Sequence, residues 1–193
     1  MFYEIIIFSL LSIITAIIFS LIKNSEFDFN SNKIQVRGYK VIILAAVIKI
    51  AAEFLFKKYT SIGLLRILSL NWIIYIALLY VSFLNIKKSY MMLFFFGTLF
   101  NFVAIAANDF KMPVYVSELL SDYEAKRMLL LSGKDLVHSL LTEKTKFKFL
   151  CDIITLYPPY PFPKTISVGD VFLLSGIFAF WQDLFCENPI SKH

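Results

Sequence analysis

The chain has 193 residues, 59% of them hydrophobic and only 17% charged, with a net charge of +5. That composition, with a mean hydropathy of +0.72, excludes an ordinary soluble domain, because the apolar residues fall in charge-free runs about as long as a bilayer is thick. The basic residues sit in short clusters beside those runs, where they set membrane orientation, so membrane lipids are expected partners and nucleic acid is not. Cys151 and Cys186 give neither a disulfide framework nor a metal-site spacing.

Ile5 to Ile22 is an 18-residue run without a charge. It lacks the basic start and small-residue cleavage site of a signal peptide, which predicts a retained helix. Val41 to Phe56 predicts a second span, interrupted by Lys49 and Glu53, while Ile67 to Ile86 and Ser89 to Asn108 predict a third and a fourth. Between Asp170 and Asp183 only 12 residues are uncharged, so a fifth span has to extend past both acids to cover a core of about 30 Å. Lys23, Lys33, Arg37 and Lys40 in the first loop, with Lys87 and Lys88 in the third, retain those loops in the cytoplasm and leave the base-free N-terminus outside. Lys57, Lys58 and Arg66 after the second span argue mildly against that orientation.

The expected fold is therefore an all-α integral membrane protein, a five-helix transmembrane bundle with a long extracytoplasmic segment. Residues 1–108 supply four spans, 109–167 the outer segment, and 168–193 the fifth span and a cytoplasmic tail. Within the outer segment, Ser117 can cap an amphipathic helix running through Glu118, Leu120, Tyr123 and Met128 and ending at Gly133, with its leucine side on the membrane surface or over the bundle. Lysine alternates with threonine or phenylalanine from Lys144 to Phe149, a period of two that predicts a short strand. PPYPFP at 158–163 holds four of the six prolines and predicts a stiff extended return to the membrane.

Lys49 and Glu53, four apart, share one helix face beside Ala45 and Ala52. Such a pair reads either as an intramembrane functional site or as two charges neutralising each other near an interface. Gly97, Asn101, Ala104 and Asn108 on the fourth helix, and Ser12, Ala16 and Ser20 on the first, are spaced as helix-packing faces. His138, the one internal histidine, reads as a binding residue or as a surface hydrogen-bonding group. No HExxH, CxxC, phosphate-cradling glycine loop or serine-nucleophile motif occurs, so no metal and no cofactor is expected.

ANDFKMPV at 107–114, HSLLTEKTKFKFLCDII at 138–154 and FPKTISVGDVFLLSGIF at 162–178 resemble the bacterial family catalogued as domain of unknown function 5317. The resemblance implies a multi-pass protein of the bacterial plasma membrane, with Asn108, Met112, Pro113, His138, Leu141, Thr142, Thr145, Asp152, Gly169 and Asp170 as motif positions and glycine where this chain has Asp109. The layout also resembles lipoprotein signal peptidase, a membrane aspartyl protease that carries one catalytic Asp at the outer end of a span and another opening its last span. Asp109 and Asp152 stand as candidates for the first position and Asp170 for the second. This chain departs from that pattern: no Arg follows Asp109 and no Asn-x-Ala-Asp precedes the last span. Asp170 also suits a helix cap.

The expected function is a non-catalytic binding or assembly component whose outer segment forms a lid over a lipid-linked, peptide or protein partner. Asn108, His138, Lys49 and Glu53 are its candidate binding residues. The alternative is an aspartyl hydrolase using Asp170 with Asp152 or Asp109, because two carboxylates that share a proton can serve as base and acid on one water. A third reading, a small transporter, would use Lys49 and Glu53.

Overall fold

Long apolar runs give long helices in the computed structural model, which describes residues 2–23, 35–58 and 72–185. They are α1 (Phe2–Lys23), α2 (Tyr39–Lys58), α3 (Trp72–Leu84), α4 (Ser89–Ala107) and α6 (Val168–Phe185), with a shorter α5 (Tyr123–Leu131) between the last two. Helix α2 packs on α3, α3 on α4, α4 on α6, and α6 on α1. Among the described residues, α4 and α6 are long and apolar enough to cross a membrane. Residues 67–71 of the expected third span, the loop bases Lys33 and Arg66, and Cys186 lie outside the described residues, as do the side chains of Ser20, Lys23, Lys57 and Lys58.

Small and hydroxylated residues set the helix contacts. A Cβ on Gly97 would stand 2.7 Å from the carbonyl oxygen of Gly169, so the α4 and α6 backbones meet at a point that only glycine fits. Ser12, fully buried on α1, donates to the Phe178 carbonyl at 2.7 Å. Gln182 of α6 returns a bond to the Ser12 carbonyl at 2.7 Å. Gly97, Asn101 and Ala104 are all buried, so that stripe of α4 is a packing face, as its spacing predicts.

Both ends of the bundle are tied. At one, Asn85 accepts from the Arg37 N–H at 2.9 Å and donates to the Arg37 carbonyl at 2.8 Å, joining the turn after α3 to the entry of α2. At the other, Lys164 pairs with Glu4 at 2.8 Å and Tyr3 stacks on Phe162 at 4.2 Å, so the start of α1 shares an end with the 109–167 segment.

That segment corrects the expectation of an all-α protein, since the described residues are mostly helical but include four short strands. β1 (Met112–Val114) pairs in parallel with β2 (His138–Leu140), Met112 opposite His138, and Val114 also bridges to Asp152. β3 (Ile154–Leu156) pairs antiparallel with β4 (Lys164–Ile166). The strand expected over 144–149 does not form. Thr142 N–H bonds the Thr145 hydroxyl at 2.9 Å, Phe147 takes φ 49°, and Lys148–Leu150 make one 3-10 turn. Burial overrides the period-two pattern, because that turn delivers Leu150 and Cys151 into a core with Ala104, Ile105 and Met112.

The proline run is the tip of the β3–β4 hairpin rather than an extended return, with Tyr160 N–H bonded to the Tyr157 carbonyl at 3.0 Å. Prolines lack the N–H a ladder needs, so they collect in the loop. The helix of the 109–167 segment starts at Tyr123, not after Ser117, because buried Ser117 is engaged by the Tyr157 hydroxyl at 3.0 Å and residues 118–122 form turns. It ends at Gly133, whose φ of 67° is the left-handed stop glycine adopts without strain.

Candidate functional site

The start of α6 is written as Ser-Val-Gly-Asp, and Ser167 and Asp170 form a reciprocal helix cap. The Ser167 hydroxyl accepts from the Asp170 N–H at 2.9 Å, and the Asp170 carboxylate accepts from the Ser167 N–H at 3.4 Å. Both caps continue into α4. Ser167 Oγ donates to Asn101 Oδ1 at 2.7 Å, and Asn101 Nδ2 donates to Asp170 Oδ1 at 3.0 Å. Asn101 is 1% exposed; a buried amide must be satisfied on both sides, and these partners do so. Tyr75 of α3 reaches the same amide and lies within the field of both Asp152 and Asp170.

Asp152 arrives from the 109–167 segment. Its N–H donates to the Pro113 carbonyl at 3.0 Å and its carbonyl accepts from the Tyr115 N–H at 2.8 Å, which straps it beside β1. The side chain is buried, and its Oδ1 has no hydrogen-bond partner among the described residues. Burial pushes the Asp152 carboxyl up to about 7, and the charge of Asp170 adds to the rise, while Lys126 and Lys164 pull against it. The neighbouring Cys151 thiol, fully buried, is pushed up to about 11 by burial and by Asp152. It is therefore an inert core thiol.

The charge of Asp170 is thus felt at buried Asp152, while the other candidates lie elsewhere. Asp109 is exposed in the turn that leaves α4, where it and Phe110 take φ 55° and 57°. That left-handed backbone accounts for the glycine implied at this position by the family resemblance. Asn108 is a clasp: its Oδ1 accepts from the Lys146 N–H at 2.9 Å while its Nδ2 donates to the Ala104 and Lys146 carbonyls at 2.8 and 3.0 Å. His138 Nδ1 lies 3.0 Å from Asp135 Oδ2 at the surface. Asp135 is held below its usual value by that contact and by the His138 and Val137 N–H groups, which outweigh the opposing effect of burial. Lys49 and Glu53 pair at 2.6 Å on α2, apart from the acids.

Two members of the cluster had no chemical role on sequence grounds. Asn101 read as helix packing, and Tyr75 lay unmarked in a charge-free run. The signal for Asn101 was present, since a buried amide in an apolar helix requires partners and a Ser-x-x-Asp cap could supply them. No curated protein and no solved structure matches the chain. The family described as "Family of unknown function (DUF5317)" matches residues 33–182, a span that includes Tyr75, Asn101, Asp152 and Asp170, and the chain belongs to it.

Proposed function

We propose that the protein is a five-span plasma-membrane hydrolase of the aspartyl type, with Asp152 and Asp170 as its acid pair at the outer end of the bundle. The observation that carries this reading is the buried Asp152 side chain, unpartnered at Oδ1, whose carboxyl is pushed up to about 7 by burial and by the charge of Asp170. A carboxyl that keeps its proton at neutral pH is equipped to be a general acid, and a neighbouring carboxylate to be the base on water. Asp170, which accepts two N–H donors, is assigned as base, taking a proton from water as the water oxygen attacks a carbonyl carbon. Asp152 gives its proton to the carbonyl oxygen; as the C–N bond of the tetrahedral adduct breaks, Asp170 passes the proton it took from water to the leaving amine, and Asp152 recovers a proton from the hydroxyl that becomes the product carbonyl. Asn101 positions Asp170. The layout resemblance to lipoprotein signal peptidase supports the same two acids, and with it a peptide or lipid-linked peptide substrate.

The five-span topology is supported by the helix surfaces. Leu10, Ile14 and Leu21 on α1 and Val47, Ile50 and Phe54 on α2 are exposed, a sheath that fits lipid far better than water. The 18 residues of α6 rise about 27 Å, close to the hydrocarbon thickness. The N-terminus and the 109–167 segment share one end through Glu4 and Lys164, as the expected topology requires.

One observation favours the non-catalytic binding or assembly component instead: the Ser167–Asp170 cap already gives Asp170 a structural task. Sequencing of protein termini in membranes from cells expressing the wild type, Asp152→Asn or Asp170→Asn separates the two. The hydrolase predicts that one set of cleavage products disappears in both variants while each accumulates as folded protein. Unchanged products with both folded variants would establish the binding component.

A further inference from the structure

A second site, which does not depend on the acid pair, lies at the end of α4. A cavity of about 420 Å³ is lined by Lys111, Lys144 and Lys146, with Ser139, Thr142 and Thr145 between them. Asp109 is the lone carboxylate of the lining, so the wall is net positive. Lys111 is held in place by donating to the Asp135 carbonyl at 2.5 Å. The Lys144 and Lys146 ammonium groups have no ion pair or hydrogen bond among the described residues.

The cavity is built rather than incidental. The Asn108 clasp fixes the Lys146 backbone from both sides at 2.9 and 3.0 Å, and the Thr142–Thr145 turn fixes the other end of the lysine loop at 2.9 Å. A lining of three lysines and three hydroxyl-bearing residues matches a small anion with several acceptor oxygens, which is the chemistry of a phosphate group. The loop then continues into Phe147 and Phe149, 50% and 64% exposed with ring centroids 6.3 Å apart. Lysine heads next to exposed aromatic rings are the composition of a membrane-interface surface.

We propose that this cavity binds a phosphate group, and that the aromatic rim presents it to the headgroup of an anionic phospholipid. The test uses the full chain in neutral detergent, with phosphatidylglycerol or phosphatidylcholine added and retention read by native mass spectrometry. Phosphatidylglycerol should be retained by the wild type and by an Arg127→Gln/Lys134→Gln control, and at least fivefold less by Lys144→Gln/Lys146→Gln. Competition by glycerol phosphate or inorganic phosphate would assign the cavity to a soluble phosphate ester, and lack of competition to the lipid headgroup. Equal retention by the Lys144/Lys146 variant, or an equal loss in the control, would overturn the site. Should the variant not fold, acetylation of wild-type lysines gives the answer: phosphatidylglycerol must protect Lys144 and Lys146 selectively, and failure to do so overturns the proposal.

Discussion

Asp170 and Asn101 are joined at 3.0 Å, carboxylate to amide, beside the tight Gly97–Gly169 contact of α4 and α6. Because Asn101 also accepts from Ser167, the cap of one helix is completed by the middle of another. Orientation of Asp170 and helix packing are therefore coupled, and substitutions at either should be felt at both.

Asp152 gives the protein a definite pH dependence. Its ordinary value is 3.8 and its folded value about 7, so between these the folded state holds a proton the unfolded chain has released. The stability this contributes is fully present below about pH 4 and declines as pH rises to about 7. Asp152→Asn should remove the decline, melting higher than the wild type at pH 8 and differing little at pH 4. A wild-type melting temperature that rises from pH 4 to pH 7, with the variant following in parallel, would contradict the assignment.

Asp170 has two tasks that substitutions can separate. Asp170→Asn keeps an oxygen for the cap and should cost under about 1 kcal/mol, whereas Asp170→Ala loses both the cap and the Asn101 partner and should cost about 1–3 kcal/mol. The hydrolase reading requires both to be inactive. Thermal melts with product analysis on the same membranes distinguish loss of fold from loss of chemistry.

Gly169→Ala tests the coupling directly. The added Cβ would collide with the Asn101 side chain and stand 2.7 Å from the Gly97 carbonyl oxygen, which is backbone and cannot swing aside. We expect a loss of about 1–3 kcal/mol and a displaced Asn101, and the hydrolase reading then requires reduced cleavage without any change to a carboxyl group. A melting temperature equal to that of the wild type would show that α4 and α6 can separate freely.

The Lys49–Glu53 pair should behave as a structural neutralisation. Replacing both, Lys49→Met with Glu53→Leu, should leave folded yield and melting temperature nearly unchanged, while either single change should be worse. A double variant as damaged as the worse single one would restore the case for a functional pair.

The charge-free runs, basic loops and stop glycine at 133 determined that the chain is mostly helical and where its long helices lie, because hydrophobic periodicity and backbone conformation are local properties. Asp170 at a helix start was legible for the same reason: a Ser-x-x-Asp cap is contained within four residues. The structure of the 109–167 segment was not. KTKFKF alternates as a strand does, yet Leu150 and Cys151 are drawn into the core beside α4, and the gain from burying them outweighs local pattern. The acid pair depended on tertiary structure most of all. Asp152 stood as a candidate acid only through family and layout resemblance, since nothing local in CDII marks it, and its burial comes with the strap to Pro113 and Tyr115 that the tertiary structure supplies. Composition places residues in water or in oil, but proximity between carboxyls, and the proton affinity that follows from it, exists only once distant segments have packed.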